Sequence, residues 1–203
     1  MKSFEGLIDI YSPQIDLLKD PDGKLLNYFH QLSKRLWFYE APSPARTFHP
    51  LGHYRVQGWL AFDYGLTGCG FWCYNSNNVN NLWRITAPDD YDAVYNDGTC
   101  IIPSRRWEAC RDGAEDYHLL MMLKRKISEF KTGSEQQKAI AWEAEDKMNQ
   151  IVRQITSRVK KIKEISRDFI PYEVDYSLFT EGRKTLIGYL EKMGQMTSSN
   201  ESK

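Results

Sequence analysis

Two short aromatic runs, LWFYE at residues 36–40 and GCGFWCYN at residues 68–75, hold the side chains best suited to chemistry in this chain. In an extended backbone alternate residues share a face, so Trp37 pairs with Tyr39 and Trp72 with Tyr74. Rings of this kind offer a flat apolar surface to a ligand, while an Asn amide or Tyr hydroxyl can bond its polar groups. The candidate substrate-binding residues are therefore Trp37, Tyr39, Glu40, Trp72, Tyr74 and Asn75. The competing role for each ring is to fill a core. Tyr39, Tyr74 and Asn75 close their runs and are better placed for a ligand than Trp37.

The remaining polar candidates each have a plainer alternative. Glu40 could be an acid near a substrate or the ion-pair partner of Arg46. His49 and His53 flank Pro50 and Gly52 in a loop, within reach of a hydroxyl or simply solvated. Asp9 alternates with Ile8 and Ile10, which turns it to the opposite side, where a buried carboxylate would need a partner. None of these is a general acid on sequence grounds. The four cysteines, Cys69, Cys73, Cys100 and Cys110, do not follow zinc spacing with any histidine. Buried free thiols fit them better than metal ligands, and a disulfide stays open for an exported protein. No metal and no cofactor is expected.

The elements that position these residues alternate. Residues 7–11 (LIDIY) form an apolar, β-branched run stopped by Ser12-Pro13, a strand; residues 36–39 and 68–74 are two more. Residues 25–36 and 54–64 have helical spacing, and Gly65 suits the position just past the second helix. A polar loop, NSNNVNN, then leads to a short extended run at residues 100–102. Pro103 blocks backward extension of the helix that follows, and Ser104 can cap it. On that helix Trp107, Cys110, Ala114, Tyr117 and Met121 recur at steps of three and four, the mark of one buried face. Gly113 costs ~1 kcal/mol there relative to Ala, which suggests close packing against something flat, such as a sheet. Strand and helix in alternation are the grammar of a parallel sheet with right-handed crossovers.

The pattern changes beyond this helix. Residues 134–167 make one long amphipathic helix with Ile140, Ala144, Met148, Ile151, Ile155, Val159 and Ile162 on a stripe. A shorter helix at 180–193 follows a link containing Pro171, and residues 195–203 read as a disordered tail. The stripe could serve a coiled coil or pack on the preceding unit. The expected division is 1–131 and 134–194, followed by the tail.

Composition excludes several classes. Hydrophobic content of 41% and aromatic content of 13% describe a globular chain. Twenty-seven basic residues balance 27 acidic ones, so nothing favours nucleic acid or an anionic membrane as a partner. No apolar run approaches the ~20 residues that a membrane span needs. The start, MKSFEGLIDIYSPQ, lacks the apolar core of a signal peptide, and the compartment is left open.

One long segment has familiar wording. PSRRWEACRDGAEDYHLL resembles the closing segment of the glycoside hydrolase family 123 catalytic domain and its relatives, also known as domain of unknown function 4091. The likeness lies in Pro103, Ser104, Arg106, Arg111, Asp112, Gly113, Glu115, Asp116 and Tyr117, with Asn96-Asp97-Gly98 before them as the family's turn. Residues 57–75 resemble the helix, turn and aromatic strand preceding that segment, and the likeness spans roughly residues 4–127.

The resemblance implies the C-terminal portion of a (β/α)8 barrel, its last three strands and helices, followed by a helical extension. A barrel needs eight strands, so the first five would precede Met1, and a missing N-terminal half becomes a candidate partner. The open edge of such a piece would make it poorly soluble alone. It also implies cleavage of N-acetylhexosamine glycans assisted by the sugar's own acetamido group, oriented and protonated by an Asp-Glu pair. No Asp-Glu dipeptide occurs in this chain. Glu115-Asp116 and Glu145-Asp146 have the reverse order and lie on helices, where ion pairs and solvated faces explain them. The expectation is a carbohydrate-binding piece of a hydrolase with no catalytic residue of its own. The alternatives are a non-catalytic carbohydrate-binding remnant and a helical interaction protein built on residues 134–193.

Overall fold

A computed structural model describes residues 7–20, 22–32, 34–40, 50–75, 92–160 and 175–201. Three strands, β1 (Ile10–Tyr11), β2 (Arg35–Glu40) and β3 (Gly68–Phe71), form a parallel sheet in the order β1-β2-β3. Helices α1 (Ile15–Leu18) and α2 (Lys24–Gln31) connect the first two strands. A π-helical turn (Leu51–Arg55) running into α3 (Val56–Asp63) precedes the third. Strands β4 (Val94–Asn96) and β5 (Ile101–Pro103) pair antiparallel as a separate hairpin. Three long helices follow: α4 (Arg105–Phe130), α5 (Glu135–Lys160) and α6 (Ser177–Glu201).

The barrel expectation fails here. Among the described residues three parallel strands form an open sheet, and the next two pair with each other instead of joining it. The local chemistry explains the change of direction. Asn96 Oδ1 accepts from Gly98 N (2.7 Å), and Asp97 Oδ1 accepts from the backbone N–H of Thr99 and Cys100 (both 2.8 Å). Gly98 takes φ +91°, which its missing Cβ permits. A turn this tight joins antiparallel strands, whereas a parallel connection needs a dozen or more residues. The structure is a mixed α/β fold, and among the described residues no barrel is closed.

One face of the sheet is covered by helices. Leu36, Phe38 and Glu40 of β2 are buried, while Trp37 and Tyr39 turn to the other face, the alternation a half-covered strand requires. Leu36 and Phe38 join Trp59 and Leu60 of α3, Leu120 and Leu123 of α4, Ile155 of α5 and Phe179 of α6 in one core. The stripe expected on α5 is buried at Ile140, Ala144, Met148, Ile151 and Ile155; Ile162 and Pro171 lie outside the described residues. Helix α6 continues to Glu201, so the expected tail at 195–203 is helical through that residue. Strand β1 is shorter than expected, with Leu7 80% exposed, and Asp9 is exposed rather than buried and paired.

Two details of α4 depart from the periodicity. Its buried residues are Ala109, Gly113, Asp116, Leu120, Leu123, Ile127 and Phe130, a face rotated from the Trp107–Cys110–Ala114–Tyr117–Met121 stripe. Gly113 packs on the turn before α3 and not on a sheet. A Cβ on it would stand 2.6 Å from Arg55 O, and one on Gly58 would stand 1.9 Å from Gly113 O. The two backbones therefore touch.

Asp116 makes the ion pairs expected of it but lies fully buried at this crossing and not on a solvated face. It accepts from Arg55 Nε (2.7 Å), Trp59 Nε1 (3.0 Å) and Arg183 Nε (2.7 Å). Arg183 also donates to the Asp112 carbonyl at 3.0 Å, and Tyr117 Oη donates to the Leu66 carbonyl at 2.9 Å. The RDGAEDY residues of α4 thus serve the architecture.

Two substitutions measure these contacts. Gly58→Ala is expected to lower stability by about 1–3 kcal/mol or more, because the added methyl overlaps backbone that cannot rotate away. Asp116→Ala leaves the buried Arg55 guanidinium, and the half-buried one of Arg183, without this carboxylate and is expected to cost about 3–5 kcal/mol. Urea unfolding of each variant beside the parent chain reads both losses.

Candidate functional site

The six residues expected in the site lie on β2 and just past the end of β3, with Glu40 turned away from the face that carries Trp37 and Tyr39. Trp37 pairs in register with Gly68 and Tyr39 with Gly70, so these two rings lie across the glycines of β3 on the uncovered face of the sheet. A Cβ on Gly68 would come within 2.7 Å of the Trp37 ring, and one on Gly70 within 3.2 Å of Tyr39. The glycines make room for aromatic rings. Trp37 sits at the start of the β2–β3 pairing and remains 36% exposed. Burial pushes the Tyr39 phenol above its ordinary range, with the nearby Cys73 adding to it.

Glu40 turns the other way, into the core, with 2% exposure. Burial raises its carboxyl to about 7, against a lowering by Lys19 and a smaller raise from Asp16. His53, expected in a solvated loop, is instead buried in the π-helical turn, its Nδ1 3.7 Å from Glu40 Oε2. That distance exceeds a hydrogen bond. Burial, then Lys19, pushes His53 down to about 3, so its imidazole is neutral beside the carboxyl. The two form a neutral buried contact at weakly acid pH. His49 and Arg46 lie outside the described residues.

At the carboxyl end of β3 the picture is different. The strand stops at Phe71, three residues short of the expected end, and Trp72 and Tyr74 follow it with 52% and 47% exposure. Tyr74 meets Trp107 of α4 edge to face, with ring centroids 5.2 Å apart and planes at 82°. This segment is strapped in place. Ala93 N donates to Cys73 O (3.1 Å), Val94 N to Tyr74 O (2.9 Å), and Asn75 Nδ2 to Val94 O (2.8 Å). Asn75 spends its amide on the strap, so its part here is positioning. Cys73 is buried, its Sγ donating to Asp92 Oδ1 at 3.7 Å.

The strap continues to α4. Ser104 Oγ donates to Ala93 O (2.6 Å) and accepts from Arg106 N (3.1 Å) and Trp107 N (3.4 Å), capping the helix as its sequence suggests. One hydroxyl therefore fixes the hairpin, the helix start and Trp107 relative to Tyr74. Trp107, assigned by periodicity to a buried face, is the aromatic residue that reading missed. Its place three residues past the cap, just after the hairpin, was the available signal.

Among the described residues no cluster of three His, Cys, Asp or Glu side chains could hold a metal ion, and all four cysteines are free. No helix among them is long and apolar enough to cross a membrane. No protein-family model matches the sequence, and no curated protein matches it.

The Glu40 shift predicts a pH effect with a definite sign. Between its ordinary value of 4.5 and about 7 the unfolded chain loses this proton first, so stability falls as pH rises through that window. His53 works in the opposite direction between about 3 and 6.5. Comparing Glu40→Gln with the parent cancels the histidine. The variant is expected to gain about 1–3 kcal/mol relative to the parent between pH 4.5 and 8. Urea midpoints at both pH values read it; no pH-dependent difference would mean Glu40 ionises normally.

Proposed function

We propose that this chain binds glycans, with N-acetylhexosamine as the sugar class, through the aromatic residues at the carboxyl end of β3. The observation that carries the reading is the half-exposure of Trp72 and Tyr74 on a segment fixed by three hydrogen bonds. Ligands of open parallel sheets bind outside the carboxyl ends of the strands. A backbone held there, with the Tyr74 ring set against Trp107, presents a stacking surface with less entropy to lose on binding. The sugar class comes from the resemblance to the family 123 hydrolases, which rests on the residues quoted above.

Binding without hydrolysis is the form of this function that the residues favour. The Asp-Glu pair of the resembled family is missing from the sequence. Glu40, the acid closest to the aromatic runs in sequence, points into the core and not toward the exposed rings. Of the six expected residues, Trp72 and Tyr74 carry the proposed contact and Asn75 holds them. Trp37 and Tyr39 lie on the uncovered sheet face, and Trp72 N donates to the carbonyl of Glu40, the residue after Tyr39, at 3.1 Å.

Titration of the chain with N-acetylgalactosamine and N-acetylglucosamine, followed by NMR of the indole signals, tests the reading. Saturable shifts of the Trp72 indole are expected, and Trp72→Ala should weaken binding roughly tenfold. Trp142→Ala, on α5, should leave it unchanged. A chromogenic N-acetylhexosaminide should show no turnover. Absence of saturable shifts, or shifts indifferent to Trp72→Ala, would sink the proposal.

A further inference from the structure

The apolar stripe of α4 that is not in the core lines a groove. Cys110, Ala114 and Tyr117 form one wall, and Cys69 and Phe71 of β3 the other; Tyr54 and α3 close the floor. The cavity measures about 500 Å³, within the range of small-molecule sites. Beside it runs β3, the edge strand of the three-stranded sheet. Periodicity marks this stripe for burial, yet Ala114 is exposed and Trp107, Cys110 and Tyr117 are half-covered. The helix carries an apolar face that the fold leaves uncovered along this groove.

Gln57 gives the groove its polar requirement. It is the polar member of the run VQGWLA, 3% exposed, and it lines the cavity. Among the described residues its Nε2 has no hydrogen-bond partner. An unmatched buried amide costs about 1–3 kcal/mol, which a ligand acceptor would recover. Nε2 is sealed as it stands, but the terminal torsion of a glutamine is soft, so rotation of the amide can turn it to an acceptor in the cavity.

Charge narrows the occupant further. Cys69 keeps solvent-exposed surface, yet desolvation by its neighbours pushes its thiol up to about 11, with Glu40 adding to it. Burial pushes Cys110 to about 12, so both thiols are neutral. Arg111, at the rim, is engaged with Glu108 (2.9 Å) and Glu115 (2.7 Å). Thr67 Oγ1 donates to Leu36 O (3.4 Å), and exposed His118 is the remaining polar side chain of the lining.

We infer that the groove between β3, α3 and α4 is a binding site for a small, uncharged, largely apolar molecule with one carbonyl-type acceptor, held by the Gln57 amide. The site is distinct from the exposed rings proposed for glycans and stands independently of them. Sugars carry too many hydroxyl groups for these walls, whereas a flat apolar ring system with a single ketone matches both the rings and the amide.

The neutral naphthalene ketone Prodan is a suitable probe, added to the full chain and followed by its emission and by the Gln57 side-chain amide signal in NMR. Saturable binding with a blue shift is expected, together with a displaced Gln57 amide resonance. Gln57→Leu should weaken it about tenfold while preserving the fold, since no existing hydrogen bond is lost. Ala114→Trp, at an exposed position, should abolish binding by filling the groove. N-acetylgalactosamine should not displace the probe. Any of four results would overturn the inference: no saturable binding, a Gln57 amide signal that does not move, binding that survives Ala114→Trp, or displacement by the sugar. A dimer in sedimentation that Ala114→Trp dissociates would assign the groove to a second copy and overturn it too.

Discussion

The fold depends on one buried carboxylate. Asp116 draws in Arg55 from the turn before α3, Trp59 from α3 itself and Arg183 from α6, so a single side chain locks three helical segments to α4. Arg183 reaches Asp112 and Glu115 as well, at 3.7 Å and 3.2 Å. Two guanidinium groups therefore face two nearby aspartates, which keeps the buried charge close to balance. Such a network adds little net stability over an apolar replacement but is costly to break, so its effect is to fix one arrangement of the helices. The arrangement is available because Gly58 and Gly113 let the backbones meet; any side chain there would separate the donors from the carboxylate.

What the helices fix, the sheet then displays. Because α3 and the long helices cover one face of β2, its alternation sends Leu36, Phe38 and Glu40 inward and leaves Trp37 and Tyr39 outward. Closure into a barrel would have buried that outward face. The hairpin prevents it at one end by pairing β4 with β5, and its turn is held by Asp97, whose carboxyl is kept far below the usual range by the hydrogen bond from Thr99 and those of the neighbouring backbone. The same hairpin carries Ala93 and Val94, the residues that strap Cys73, Tyr74 and Asn75. The feature that ends the parallel sheet also positions the exposed rings.

Much of this was legible in the residues, and the failures have a common cause. Strands β2 and β3, the Ser104 cap and the α5 stripe follow local rules of period and capping, and the structure has them close to where those rules put them. The buried face of α4 was not legible, because Gly113 and Asp116 lie on it and neither counts as apolar. Reading hydrophobic residues alone rotates that face toward Tyr117. Gly113 was correctly a close-packing residue, but sequence cannot say that the flat partner is another backbone and not a sheet. Glu40 and His53 mislead in the same way: charged residues are taken for surface, and their burial depends on partners distant in the chain. Glu40 parts from the other expected site residues because alternation turns it to the covered face, whereas register and the point where β3 stops decide which of the rest meet.

Trp107 shows why two binding chemistries can sit side by side on this fold. It receives the edge contact from Tyr74 and also belongs to the lining of the groove. Toward the strand ends the neighbouring rings are open to water, so a ligand there must tolerate hydration and gain from stacking, as a sugar does. Toward β3 the cleft is lined by the thiols of Cys69 and Cys110, by aromatic rings and by the Gln57 amide of α3, so a ligand there finds few polar partners for the water it gives up. The difference arises from helical geometry, since residues three and four apart along α4 continue the groove wall away from the hairpin. A single helix, fixed at its start by Ser104 and at its centre by Asp116, thereby borders a wet aromatic platform and a dry cleft at once.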